Sequence, residues 1–230
     1  MPGLDYCGRC RPAREVGGDY YDFLVLPEGK LGVAIGDVSG KGIGAALMMA
    51  ALEASLRGQA SLAGDILAEL ISRVNRLVYE ASSANRYATV FYTRYDPESL
   101  QLSYVNAGHN PPPLVLRKSG AGWEVMRLEA SGAVVGLLKN FPYQQGCFAL
   151  QPGDLLLLFT DGVSEAMNPA DEEWGEERLI DAAQSCDGLG AVETITDIMS
   201  AADAFAAGAP QHDDMTLVAL RVLANATQAD

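Results

Sequence analysis

The sequence is most constrained between Glu15 and Leu47, where two apolar runs are separated by only four turn residues. The first run, Tyr20 to Leu26, is aromatic and β-branched, the composition strands favour. The second, Leu31 to Ile35, alternates large Leu31, Val33 and Ile35 with small Gly32 and Ala34, a period of two. Between them Pro27-Glu28-Gly29-Lys30 is turn chemistry, with Pro fixing φ and Gly supplying freedom. A regular hairpin with Leu26 opposite Leu31 sets Tyr20 opposite Asp37 and Asp19 opposite Val38. It gathers Asp19, Asp37 and, further back opposite Ile35, Asp22 toward one end. Directly opposed residues have Cβ atoms about 4.5–5.5 Å apart, so this end concentrates negative charge and calls for a cation.

The remaining composition narrows the function classes. Hydrophobic residues make up 49% of the 230 and charged residues 20%, enough for a substantial core and inconsistent with disorder. The net charge of −14 argues against nucleic acid, whose phosphates are held by Lys and Arg. A phosphorylated substrate stays open if metal ions supply positive charge locally. No apolar run approaches the roughly 20 residues of a membrane span, and no basic segment followed by an apolar one opens the chain. A cytoplasmic location is expected. Cys7 and Cys10 have zinc or redox spacing, but Cys147 and Cys186 stand alone and provide no second close pair. Reduced cysteines are the expectation.

In chain order, residues 1–14 predict a short lead-in strand. After the hairpin, Ser39-Gly40-Lys41-Gly42-Ile43-Gly44 opens a helix to about Leu56, with Arg57-Gly58 as its stop. A second helix is expected from an N-cap at Asp65, its core face made by Ile66, Leu67, Leu70, Ile71, Val74, Leu77 and Val78. Short strands are predicted at Ala88–Tyr95, Leu100–Asn106, Pro113–Arg117, Trp123–Leu128, Tyr143–Leu150 and Leu155–Thr160. Asp96-Pro97-Glu98-Ser99 and Gln151-Pro152-Gly153-Asp154 serve as tight turns. A polar loop follows Asp161-Gly162, then helices over Glu176–Ser185 and Ala191–Ala207 and a closing strand from Met215 to Val222. Strands joined by tight turns imply antiparallel sheet, with helices packed on sheet faces, so the fold class is α+β. One domain over 1–223 is expected, with a frayed tail at 224–230.

Asp161 follows a strand, Asp213-Asp214 precedes one, Asp19 starts one and Asp37 ends one. In antiparallel sheets the starts and ends of neighbouring strands share an edge, so these carboxylates can converge on one rim. Singly, each reads as well as a turn or cap residue. Together they suit a hard cation, magnesium or manganese, which takes oxygen ligands. The glycines of 39–44 do not make a dinucleotide fingerprint, because a second helix rather than a strand follows the first. They let the backbone approach metal-bound groups and pack the helix close. No G-x-S-x-G elbow supports a serine triad. His109 and His212 are expected to structure turns or support neighbouring groups.

Five segments together carry a family resemblance: Val16-Gly-Gly-Asp-Tyr-Tyr-Asp22, Gly36-Asp-Val-Ser-Gly-Lys-Gly42 with Ala45-Ala46-Leu47, Asn106-Ala-Gly-His-Asn-Pro111, Phe159-Thr-Asp-Gly-Val-Ser-Glu-Ala166 and Asp213-Asp-Met-Thr-Leu217. In this order they resemble the metal-dependent protein phosphatases (PPM, type 2C), in the bacterial SpoIIE/RsbU-like branch. The resemblance implies two stacked antiparallel sheets flanked by paired helices, and hydrolysis of phosphoserine or phosphothreonine with two manganese or magnesium ions. It implies that Asp37 bridges both ions, that the Val38 carbonyl and Asp19 join the second, and that Asp161 and Asp213 hold the first. Asp214, Asp22, Gly162 and Lys41 are assigned to the surroundings of the ions or to substrate. Lys41 stands where many relatives carry His, and Trp174-Gly175 where they often carry Phe-Gly; both departures bear on substrate orientation rather than on metal binding.

Phosphate monoester hydrolysis is among the slowest uncatalysed reactions, with enzymatic accelerations reaching about 10²¹. Two cations about 3.5–4 Å apart can generate hydroxide near neutral pH and neutralise the phosphoryl oxygens. Direct attack by a bridging hydroxide, with no phospho-enzyme, is therefore the expected mechanism. By analogy the substrate is a small phosphorylated signalling protein such as an anti-sigma factor antagonist. The resemblance leaves room for a regulatory domain or partner acting on the helices after Gly44, and for a homodimer. The competing class is a catalytically weak or silent binding module of the same fold.

Overall fold

The structure is a computed structural model that describes residues 1–15, 17–40, 42–61, 64, 66–82, 86–129 and 132–223. Its strands and helices follow in the order β1 (Leu4–Arg11), β2 (Asp19–Val25), β3 (Leu31–Val38), α1 (Ile43–Ala60), α2 (Leu67–Ala81), β4 (Ala88–Asp96), β5 (Gln101–Ala107), β6 (Leu114–Ser119), β7 (Gly122–Arg127), β8 (Gly146–Ala149), β9 (Leu155–Phe159), α3 (Asp161–Ser164), α4 (Gly175–Ser185), α5 (Ala191–Ala206) and β10 (Met215–Val222). The strands form two antiparallel five-stranded sheets, ordered β1-β10-β9-β6-β7 and β2-β3-β4-β5-β8. The class is α+β, as the sequence predicts. Each sheet belongs to one of two compact units, one made of Arg14–Pro112 and Leu128–Ala149, the other of Met1–Ala13, Pro113–Arg127 and Leu150–Asp230.

In the first of these units, α1 and α2 cover one face of the β2-β3-β4-β5-β8 sheet. Tyr20, Leu24, Ala34, Val90, Tyr92 and Val105 meet Leu52, Leu56, Leu70, Ile71 and Val74 there. Side chains alternate across a strand, so Asp22 lies on this helix-covered face and Asp19 on the other. The β2–β3 register differs by one residue from the regular hairpin: Val25 pairs with Leu31, Tyr20 with Gly36, Asp19 with Asp37 and Asp22 with Ala34. The cause is the turn. Pro27–Gly29 forms a single 3-10 turn with Glu28 and Gly29 both at positive φ, and the Leu26 N–H donates to the Lys30 carbonyl at 2.9 Å. Leu26 is thereby drawn into the loop, and the pairing slips by one.

Helix α1 runs past Arg57-Gly58 to Ala60. Burial of Leu56 and Ala60 on the sheet outweighs the roughly 1 kcal/mol that Gly costs inside a helix. The face of α2 is narrower than its sequence suggests: Leu67, Leu70, Ile71, Val74 and Val78 are buried, whereas Ile66 and Leu77 are exposed. Asn75 is buried among them because its amide donates to the Leu138 and Lys139 carbonyls at 2.8 and 3.2 Å and accepts from Gly136 N–H at 2.9 Å. The expected cap at Asp65 and the tail at 224–230 lie outside the described residues. Strand β8 is shorter than Tyr143–Leu150, because only Gly146–Ala149 pairs with β5.

In the second unit, α4 and α5 pack Leu179, Ala183, Ile195 and Ile198 against Leu114, Leu155, Leu157, Phe159 and Leu217. Every residue of β9 and β10 is buried, which explains why Leu155–Phe159 reads as a continuous apolar run. Asp154 is 1% exposed, yet it accepts two hydrogen bonds from Arg117 at 2.6 and 2.9 Å and one from Gln151 N–H at 2.8 Å. Arg11 binds Asp203 of α5 through both oxygens, at 2.7 and 2.8 Å. Asp5 caps α5 by accepting from Ala191 N–H at 2.7 Å. Cys7 and Cys10, three apart on β1, face opposite sides of the strand.

Candidate active site

The pairing that the turn imposes places Asp19 and Asp37 directly opposite each other, and Asp37 opposite Thr89 on β4. All three lie on the face away from the helices. Two carboxylates opposed in this way repel unless a cation lies between or beside them. The strand ends are held closely. Val38 N–H donates to the Gly18 carbonyl at 3.2 Å and Ser39 N–H to the Tyr87 carbonyl at 2.9 Å. Gly18 is tightly packed: a Cβ there would sit 3.0 Å from Asp37 Oδ1 and 3.1 Å from the Val38 oxygen, so these neighbours would have to give by a few tenths of an ångström. Gly18 thus permits the close approach of the chain before β2 to the end of β3.

Asp22 occupies a separate network on the opposite face of β2. It accepts from the Tyr20 hydroxyl at 2.8 Å and pairs with Arg57 of α1 at 2.6 Å. Burial and this carboxylate push the Tyr20 phenol far above its ordinary range. Lys41 lies outside the described residues.

In the other unit Asp161 opens α3 immediately after β9, where the sequence suggests only a polar loop, and Asp213-Asp214 leads into β10. β9 and β10 are neighbours, with Phe159 opposite Leu217. Thr160 extends the join: its N–H donates to the Thr216 carbonyl at 3.1 Å and its hydroxyl accepts from Thr216 N–H at 3.0 Å. Gly162 is pressed against the 213–214 backbone, so that a Cβ would collide with the Asp214 carbonyl oxygen. The two neighbouring aspartates differ. Asp214 is buried and its carboxylate accepts from Ala13 N–H at 2.7 Å, whereas Asp213 is exposed and accepts from Asp214 N–H at 2.9 Å. Among the described residues, no group of three or more His, Cys, Asp or Glu is gathered closely enough to hold a metal ion.

A cavity of about 270 Å³ borders this corner, lined by Gly162, Glu165, Met167, His212 and Asp213 among others. Glu165 has its carboxyl raised above the usual range, first by burial and then by the charges of Asp161, Glu173 and Asp213. The sequence singles out neither Glu165 nor Thr89. Thr89 becomes visible only when β3 and β4 are set in register, whereas Glu165 is within the Phe159–Ala166 segment itself.

The two antiparallel five-stranded sheets, each with helices on it, form the architecture shared by the PPM (type 2C) domain structures of the SpoIIE/RsbU-like branch. The chain belongs to the stage II sporulation protein E (SpoIIE) family, whose model matches residues 27–223. Phosphoserine phosphatase RsbU of Bacillus subtilis is 32% identical over 91% of this chain and 61% of its own length. Protein IcfG of Synechocystis is 29% identical over 91% of this chain and 36% of its own length. The chain thus spans about one to two thirds of the length of these curated relatives. The crystal structure of the RsbU and RsbW domains of a Mycobacterium tuberculosis protein superposes with a TM-score of 0.78 at 28% identity, over 97% of this chain and 62% of that one. The catalytic domain of the serine/threonine phosphatase PstP, solved with two manganese ions, shares the fold at 15% identity and a TM-score of 0.69, over 96% of this chain and 99% of that one. No described helix is long and apolar enough to cross a membrane.

Proposed function

We propose that this chain is a protein serine/threonine phosphatase that depends on two divalent cations, manganese or magnesium. The observation that carries the reading is the direct opposition of Asp19 and Asp37. A pair of carboxylates on one rung of a sheet is electrostatically costly alone and favourable around a hard cation. Asp37 would be held in common by the two ions, with the Val38 carbonyl and Asp19 for the second and Asp161 and Asp213 for the first. The donor set fits such ions, being carboxylate and carbonyl oxygen throughout. Between the adjacent aspartates, Asp213 suits a ligand better than Asp214, because Asp213 is exposed at the strand end whereas Asp214 is buried.

When bound, the cations supply an activated water and neutralise phosphoryl charge. The chain's own residues hold and orient. Gly18 and Gly162 admit the backbone close to the aspartates, and Asp22 with Arg57 fixes α1 to β2. No side chain acts as nucleophile, so no phospho-enzyme forms. Asp214 and Gly162 support the ligand strand ends, and Lys41, three residues after Val38, is assigned to the phosphate.

The substrate is a phosphoserine or phosphothreonine protein, and a small regulator of the anti-sigma factor antagonist type suits the kinship with RsbU. A regulatory domain or partner has its landing place on α1 and α2, where Ile43 and Leu47 are exposed; self-association into a homodimer belongs to the same proposal. Manganese-dependent release of phosphate from an aryl phosphate and from a phosphoserine protein tests the reading. No turnover at verified metal occupancy would make the chain a binding module instead.

A further inference from the structure

Asp37 is gripped through its own backbone as well as along its strand. Its peptide N–H donates to a side chain, the Thr89 hydroxyl, at 3.1 Å. That hydroxyl donates to the Asp37 carbonyl at 3.4 Å and lies at the same distance from His109 Nδ1, which donates or accepts according to the imidazole tautomer. His109 is 1% exposed. Its main chain is held on both sides by Asn106, which accepts from His109 N–H at 2.8 Å and donates to the His109 carbonyl at 3.1 Å. The Asn106 amide is itself anchored on the Leu128 carbonyl at 3.1 Å. The imidazole is therefore fixed before any ligand arrives, and it faces a hydroxyl that touches the backbone of Asp37.

The approach at this point is unusually close. Gly36, the residue before Asp37, has no room for a Cβ because the Thr89 carbonyl oxygen occupies that space. At this close approach the hydroxyl of Thr89 on β4 reaches the Asp37 peptide. We infer that Thr89 and His109 are positioning residues that set the orientation of Asp37 for cation binding, with the Thr89 hydroxyl as the link. This rests on the assignment of Asp37 as a metal ligand. Where Nδ1 accepts the hydroxyl proton, the imidazole carries its own on Nε2. Groups that orient ligands from behind in this way are worth about 10- to 100-fold in metal affinity.

The test is manganese binding by calorimetry on the whole chain, alongside aryl phosphate turnover as manganese is raised and melting in chelator. Thr89→Val removes the hydroxyl at nearly constant volume, and is expected to weaken manganese binding about 10-fold or more. Its turnover falls at limiting manganese and recovers as manganese is raised, with KM for the aryl phosphate unchanged. Thr89→Ser, which keeps the hydroxyl, restores the affinity, and His109→Asn shows the Thr89→Val defect in milder form. Wild-type manganese affinity in folded Thr89→Val and His109→Asn overturns the assignment. So does a defect in KM alone. If Thr89→Val fails to melt cooperatively, His109→Asn and Thr89→Ser decide by the same criteria. Asp37→Asn separates the two levels: unchanged manganese binding in that variant refutes the metal reading of Asp37, and this assignment with it.

Discussion

Asp19 and Asp37 are cross-strand partners on one face of the β2–β3 hairpin, and no residue separates them along the ladder. Two consequences follow from the same pair. Asp37→Asn is expected to remove nearly all turnover, because it removes the carboxylate proposed to be shared by the two cations. In chelator the variant should be at least as stable as wild type, by about 0.2–1 kcal/mol if the opposed charges repel as directly paired like charges do. Melting curves with and without manganese check this: wild type gains from the metal and Asp37→Asn does not. A variant that loses stability in chelator contradicts the electrostatic account of the pair.

Gly162 allows α3 to sit on the Asp213-Asp214 backbone, with the space for a Cβ taken by the Asp214 carbonyl. Gly162→Ala is expected to cost about 1–3 kcal/mol, the usual penalty for forcing atoms into a packed site. It should also lower turnover by displacing Asp161 or Asp213. Gly153→Ala, at a positive-φ turn with nothing near its Cβ, provides a contrast, since strain there is local and turnover should hold. Equal loss of turnover in both variants would argue against the close contact as the cause.

Arg117 is the bidentate partner of Asp154, a carboxylate almost fully withdrawn from water. Among the described residues, Arg117→Ala leaves that charge with the Gln151 N–H alone. Breaking a buried pair from one side costs about 3–5 kcal/mol, so denaturant unfolding should show a loss of that order. The double variant with Asp154→Asn should recover part of it. A loss below about 1 kcal/mol, the range of exposed pairs, contradicts the buried-pair reading.

The acid–base behaviour of Glu165 offers a further check. Burial first, and then Asp161, Glu173 and Asp213, raise its carboxyl above the ordinary range. A folded-state value above the unfolded one means that the fold favours the protonated form. The associated stability is fully present below the unfolded value, about 4.3 for Glu, and is lost as pH rises through the folded value. Glu165→Gln should therefore leave stability unchanged near pH 4 and raise it near pH 7, with chelator present throughout. An unchanged melting temperature at both pH values contradicts this account.

Several of these features were legible in the sequence, and for identifiable reasons. The ten strands follow from alternation and apolar runs bounded by turn residues, which is local information. The proximity of Asp19 to Asp37 is equally local, because a short hairpin leaves little freedom. Their exact opposition was not, since it depends on Glu28 and Gly29 both taking positive φ and drawing Leu26 into the turn. Arg57-Gly58 signals a helix stop in the sequence, whereas α1 continues to Ala60 because Leu56 and Ala60 are held by the sheet. The ion pairs Asp22–Arg57 and Arg117–Asp154 join residues far apart in the chain, and no periodicity reports such pairs. The difference between Asp213 and Asp214 also required structure, because one is exposed and the other buried, with Ala13, some two hundred residues away in sequence, donating to the buried one.

The central claim is that this chain is a two-cation phosphatase with Asp37 as the shared ligand. The most direct test measures manganese stoichiometry together with phosphoserine turnover, on wild type and Asp37→Asn, with and without added manganese. The account predicts two ions per wild-type chain, turnover that appears only with metal, and the loss of both in Asp37→Asn. Metal-independent turnover, or near-wild-type turnover in Asp37→Asn, would contradict it.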